Sequence, residues 1–221
     1  MAQKVSGIHS KDSAAPLFSP AAYIATWQRL LGEVARDGLP QAVLEKLATQ
    51  TGLPAGNLQT GVRVSLAGLA QAIEVDDVRY SQNVSPRKIV ILAAGNVPGT
   101  AVAPAVLLAA AGCQVIVKQS RHEQIVLPWL CQTLLKKHPD FPDLIRPRDL
   151  GKNSSRLQDL LSEADHILAF GSDETLAALH RQHGAKVIGF GHKISFAYVD
   201  ELTDEPELLY RLAQDVVLCN Q

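Results

Sequence analysis

Lys88-Ile89-Val90-Ile91-Leu92-Ala93-Ala94-Gly95-Asn96-Val97-Pro98-Gly99 is the stretch on which the reading of the fold turns. Lys88 to Ala93 is a short, continuous apolar run, the pattern of a strand buried on both faces, as in a parallel sheet. A turn of glycine, asparagine and proline follows it. The same pairing recurs downstream, where Cys113 to Val117 forms a second apolar run and Lys118-Gln119-Ser120-Arg121 follows it. Residues 99–111 lie between them, rich in small residues and helical in character. The whole span 89–117 carries no charge and so imitates a membrane helix. Its interruptions by Gly95, Asn96, Pro98, Gly99, Pro104 and Gly112 fit strand, turn, buried helix and strand better than one spanning helix.

Working outward, the alternation continues. Residues 122–137 read as a helix carrying Ile125, Leu127, Trp129, Leu130 and Leu134, and Leu144 to Leu150 as a weak strand. A short helix at 154–161, a strand at Asp165 to Phe170 and a helix at 172–183 come next. Ala185 to Phe190 and Ile194 to Val199 read as strands, and 205–218 as a closing helix. Strands alternating with helices of this length predict an α/β fold, a parallel sheet with helices on both faces. Upstream, residues 1–20 look loose. Tyr23, Ile24, Trp27, Leu30, Leu31 and Val34 recur at helical spacing over 21–36, a second helix is expected over 40–50, and 62–74 is helical or mixed. The division expected is a helical segment at 1–85 and a nucleotide-binding unit at 86–221.

Composition narrows the function. A chain of 221 residues that is 47% hydrophobic and 19% charged can bury a sizeable core, which excludes a disordered or fibrous protein. A net charge of −1 and only 5% aromatic residues argue against nucleic acid as a partner. The three cysteines, Cys113, Cys131 and Cys219, are too few and scattered for a disulfide framework or zinc knuckle. His180 and His183 stand three apart on a helix without an acidic or cysteine partner, so no metal site is expected. Met1 to Ser13 holds no apolar run of signal-peptide length, and a cytoplasmic setting is expected.

Parallel sheets bind ligands beyond the C-terminal ends of their strands. Four polar or glycine clusters fall there: 95–99, 118–121, 171–172 and 191–193. Gly171-Ser172 opens a helix whose N-terminus suits phosphate; equally, Ser172 can be an ordinary cap with Asp173 and Glu174 complementing the dipole. Lys118 can reach a ribose hydroxyl or phosphate, or simply extend its ammonium to solvent from a strand end. Asn96 can donate to an oxyanion or serve only as a turn residue. No G-x-G-x-x-G follows the first strand, so the usual dinucleotide fingerprint is missing.

In their order these clusters resemble the cofactor-binding half of the aldehyde dehydrogenase superfamily, and more narrowly its acyl-CoA reductase branch, the LuxC-type fatty acid reductases. The resemblance covers about 86–221. Asn96-Val97-Pro98 corresponds to the N-x-P turn, whose asparagine helps hold the thioester oxygen. Val115 to Arg121 corresponds to the strand ending in K-P-S-E, whose lysine meets the adenosine ribose. Phe170-Gly171-Ser172 corresponds to the F-x-G-S turn at the cofactor pyrophosphate. Gly189-Phe190-Gly191-His192-Lys193-Ile194-Ser195-Phe196 looks like the G-x-G-H-x-x-S-F signature of the acyl-CoA reductases.

The resemblance implies a Rossmann-like sheet. It implies Asn96 as a catalytic oxyanion donor, and Lys118, Ser120, Arg121, Gly171, Ser172, Thr175, Gly189 and Gly191 as cofactor-binding residues. Gly189 stands where the dehydrogenases carry a glutamate base that activates hydrolytic water. Its absence suits reduction of an acyl-CoA or acyl-carrier thioester to an aldehyde. Arg121 replaces a ribose-gripping glutamate, which favours NADPH over NADH, although a plain surface charge reads the same way. The family's nucleophilic cysteine is expected a few residues beyond Gln221, so this chain alone is expected to be inactive and Cys219 to be no substitute. Self-association is expected from the family. The rival readings are a related reductase such as γ-glutamyl phosphate reductase, and a non-catalytic nucleotide-binding or oligomerising fragment.

Overall fold

The computed structural model describes residues 19–73, 87–95, 97–152 and 154–191, together with helical positions 206, 207, 209, 210 and 213. The strand expected at Ile194 to Val199 and most of the helix expected at 205–218 lie outside the described residues, as do Asn96, His192 and Cys219.

Three helices come first: α1 (Pro20–Asp37), α2 (Gln41–Thr51) and α3 (Ala55–Ala72). The sheet region follows as β1 (Lys88–Leu92), α4 (Val102–Ala110), β2 (Gln114–Lys118), α5 (Val126–Lys137), β3 (Ile145–Arg148), α6 (Ser155–Glu163), β4 (His166–Phe170), α7 (Asp173–His183) and β5 (Val187–Phe190). Among the described residues five strands form one sheet, all parallel and ordered β3-β2-β1-β4-β5. Chain order therefore reverses between β1 and β4, where α/β sheets open a crevice.

Burial follows the pleat. Ile89, Ile91, Val115, Val117 and Ile145 face one side and share a core with α4, α5 and the three N-terminal helices. Val90, Ile167, Ala169 and Val187 face the other side, under Leu157 and Leu161 of α6 and Leu176 and Leu179 of α7. Helices thus cover both faces, and α1–α3 form an outer layer, with α1 against α4 and α5 and α3 against α4.

Several boundaries differ from the sequence reading for identifiable reasons. Helix α3 begins at Ala55 rather than 62, immediately after Pro54, because Leu58, Val62 and Leu66 recur one turn apart and are all buried. Helix α4 starts three residues later than expected, because Gly99 at φ 81° holds the chain in a turn. The residues 184–186 form a single tight helical turn rather than the start of β5. Helix α5 begins at Val126 rather than 122, because the Glu123 carboxylate accepts hydrogen bonds from the Ile125 and Val126 amides, both at 2.8 Å, and fixes the helix start there.

Candidate functional site

The C-terminal strand ends form one edge, with Leu92 beside Lys118, Lys118 beside Arg148, and Phe170 beside Phe190 in register. Alternation along β2 decides where Lys118 goes. Val115 and Val117 are buried towards α4 and α5, whereas Ile116 packs on the α6–α7 core. Lys118 shares the Ile116 side. It lines a groove of about 530 Å³ between α6 and α7. Leu92 and Ala93 form the floor, Leu157, Gln158 and Leu161 one wall, and Thr175, Ala178, Leu179 and Gln182 the other, with Lys152 and Glu174 also lining it. The lining is largely apolar with a few polar groups, and the volume falls in the range of small-molecule sites.

Lys118 is half-buried, and its ammonium is held below its usual range. Burial is the main cause; Arg121 and, more weakly, Lys152 push the same way, and Asp149 opposes them. Asp149 is not free to act as a full counter-ion, since its Oδ1 accepts from the Gln124 side chain at 2.7 Å. Gln124 is held in turn by Gln50 of α2: the Gln124 amide donates to Gln50 Oε1 at 2.9 Å, and Gln50 Nε2 donates to Gln124 Oε1 at 3.1 Å.

The turn after β4 is a capped helix start. Ser172 Oγ accepts from the Thr175 amide at 3.4 Å and lies 3.2 Å from the Thr175 hydroxyl. The capping role weighed for Ser172 is therefore realised, and it orients Thr175 at the groove wall. The turns after β1 and β2 touch. A Cβ on Gly95 would fall 2.1 Å from Ser120 Oγ, so only glycine lets these turns meet. Ser120 Oγ also accepts from the His122 amide at 3.2 Å, and the exposed Arg121 stands on the same turn. Glu123 joins both turns, since besides capping α5 it accepts from the Gly99 amide at 3.4 Å.

Of the residues expected to bind a cofactor, Lys118 and Thr175 line the groove, and Gly171 and Ser172 lie at the end of α7 beside it. Ser120 and Arg121 occupy the adjoining β2–α5 turn. Gly189 in β5 and Gly191 just beyond it lie against α7: Cβ atoms there would meet Leu176 at 3.1 Å and Asp173 Oδ1 at 2.6 Å. A side chain at either position would thus press on α7, at Gly189 against Leu176 and at Gly191 against the movable carboxylate of Asp173. Lys152, Gln158 and Gln182 were missed; each sits in a polar stretch whose proximity to Lys118 appears only once the strands are aligned. Burial raises the thiol pKa of Cys113 and pushes that of Cys131 up to about 12, so both are core thiols. Among the described residues no cluster could hold a metal ion, and no helix is long and apolar enough to cross a membrane.

The profile of the acyl-CoA reductase (LuxC) family matches residues 56–221. Among solved structures, aldehyde dehydrogenase 21 from Physcomitrella patens, in complex with the reaction product succinate, is similar at 15% identity and TM-score 0.60, over 80% of this chain and 41% of that one. An aldehyde dehydrogenase from Mycobacterium tuberculosis complexed with NAD+ gives 19% identity and TM-score 0.55, over 80% and 39%. Glyceraldehyde-3-phosphate dehydrogenase GapN from Methanocaldococcus jannaschii complexed with NADP gives 14% and 0.56, over 79% and 43%. The chain thus spans less than half the length of each of these enzymes. None of the curated proteins matches the chain by sequence. The fold is that of the aldehyde dehydrogenases, and the chain, matched from α3 to Gln221, belongs to the acyl-CoA reductase (LuxC) family.

Proposed function

We propose that this chain is the dinucleotide-binding part, at residues 86–221, of a reductase that converts an acyl-CoA or acyl-carrier thioester to an aldehyde. The observation that carries the reading is the groove between α6 and α7, with Lys118 at the strand end. Its apolar walls suit an adenine ring, Lys118 suits a ribose hydroxyl or phosphate, and the capped start of α7 suits a pyrophosphate. Two of the structurally similar enzymes carry NAD+ and NADP, which supports a nicotinamide dinucleotide here. NADPH is favoured over NADH because Arg121 and Lys152 add positive charge beside Lys118.

In the reaction so implied, hydride adds to the thioester carbonyl carbon, the C–S bond breaks, and the thiolate leaves as the aldehyde forms. A dinucleotide held by Lys118 and the start of α7 would supply that hydride. Asn96 is assigned the oxyanion. Neither Cys113 nor Cys131 supplies the nucleophilic thiolate, since both are buried with raised pKa values.

The test is a thermal melt of the chain with 5′-AMP, NADH or NADPH. A midpoint that rises with concentration is expected for all three, since a ligand at about a hundred times its Kd adds about 2.7 kcal/mol. No shift with any of them at millimolar concentration overturns the reading.

A further inference from the structure

Two cations, Lys118 and Lys152, line the α6–α7 groove, and a third, Arg121, is near enough to Lys118 to disfavour its charged form. Lys118 ends β2, Arg121 follows it in the β2–α5 turn, and Lys152 lies in the turn between β3 and α6, where it lines the groove. The register brings Lys118 and Lys152 to one groove, because Lys118 pairs with Arg148 on β3 and the turn bearing Lys152 leaves from that strand end. Two carboxylates are near. Asp149 has one oxygen taken by Gln124, and Glu174 lines the groove from α7. The balance at Lys118 is still positive, since Arg121 and Lys152 disfavour its charged form against Asp149. Like charges gathered around a half-buried ammonium, with their main carboxylate tied back, raise the local potential for an anion.

We propose that Lys152 is a specificity residue for the 2′-phosphate of a phosphorylated dinucleotide, closing opposite Arg121 on a ribose held beside Lys118. The proposal rests on the groove being the adenosine site. A ribose diol gives a lysine only a hydroxyl to meet; a 2′-phosphate gives it a dianion, and a charge-assisted hydrogen bond is about twice as strong as a neutral one. Lys152 therefore discriminates between the two without determining whether adenosine binds. Its side chain is exposed, so replacing it leaves the core untouched.

Calorimetric titration of the chain with 2′,5′-ADP and with 5′-AMP separates the possibilities. The unmodified chain is expected to prefer 2′,5′-ADP. Lys152→Gln is expected to weaken 2′,5′-ADP about tenfold while leaving 5′-AMP unchanged, and Lys152→Arg to restore most of the loss. If 5′-AMP binds but Lys152→Gln leaves the ratio of the two affinities as it was, the role of Lys152 is overturned and the groove reading stands. If neither nucleotide binds, the groove reading fails and takes this assignment with it.

Discussion

Lys118 is the one charged side chain inside β2 and it ends half-buried, a placement that destabilises its own ammonium. Its folded pKa lies below the ordinary 10.5, so in the window between the two values the unfolded chain binds more protons than the folded one. Stability contributed by this group therefore rises with pH across that window, and at neutral pH the charge is a cost. Lys118→Met should raise the melting midpoint of the ligand-free chain at pH 7 and flatten the difference between pH 7 and pH 10. The same variant should weaken NADPH binding about tenfold or more, because an anion favours the charged lysine. A variant that neither stabilises the free chain nor loses affinity would show that Lys118 is an ordinary solvated strand end. The lysine was legible in the sequence because a charge after a buried apolar run stands out. Lys152 was not: a lysine in a polar turn has no pattern, and only the β2–β3 register brings it to Lys118.

At the scale of elements, the two turns after β1 and β2 are joined by one carboxylate. Glu123 is buried at 7% exposure and satisfies amides at the start of α5 and at Gly99 ahead of α4. Replacement by alanine leaves those amides without an acceptor, a cost of roughly 1–3 kcal/mol for a buried group. Glu123→Gln keeps an acceptor but loses the charge that suits a helix N-terminus, worth roughly 0.3–1 kcal/mol. Chemical denaturation should rank the chain above Glu123→Gln and Glu123→Ala in that order; equal midpoints for all three would mean the carboxylate does not hold the turns. The strands themselves were readable, because β1, β2 and β4 each hold an unbroken apolar run, 89–92, 115–117 and 167–170, and strands buried on both faces need that. Helix starts were less so. Residues 122–125 suit a helix by propensity, and the cap that excludes them is a side-chain contact three residues long, invisible to periodicity. Helix α3 was read late for the opposite reason: Gly56 and Gly61 mask a helix that burial of Leu58 and Val62 sustains.

Across the whole molecule, the helical layer is not an appendage to the sheet. Leu31 of α1 and Ile89 and Ile91 of β1 belong to one continuous core, bridged by Val102, Val106 and Leu130. The sequence marks a change of pattern at Pro86, from helices to alternating strands and helices, but packing runs across that change. Gln50 of α2 carries the connection on to Gln124 and Asp149 beside the candidate cofactor groove. A core shared in this way predicts that damage in α1 is felt in β1. Leu31 is fully buried, and Leu31→Ala should cost roughly 2–5 kcal/mol through lost burial and the cavity left behind. Native-state hydrogen exchange reads where that cost falls. If helices and sheet unfold as one unit, the amides of the buried Val90 and Ile91 in β1 should lose as much protection as those of α1. Faster exchange confined to α1–α3, with β1 unchanged, would instead make the helical layer an independent unit resting on a self-sufficient sheet.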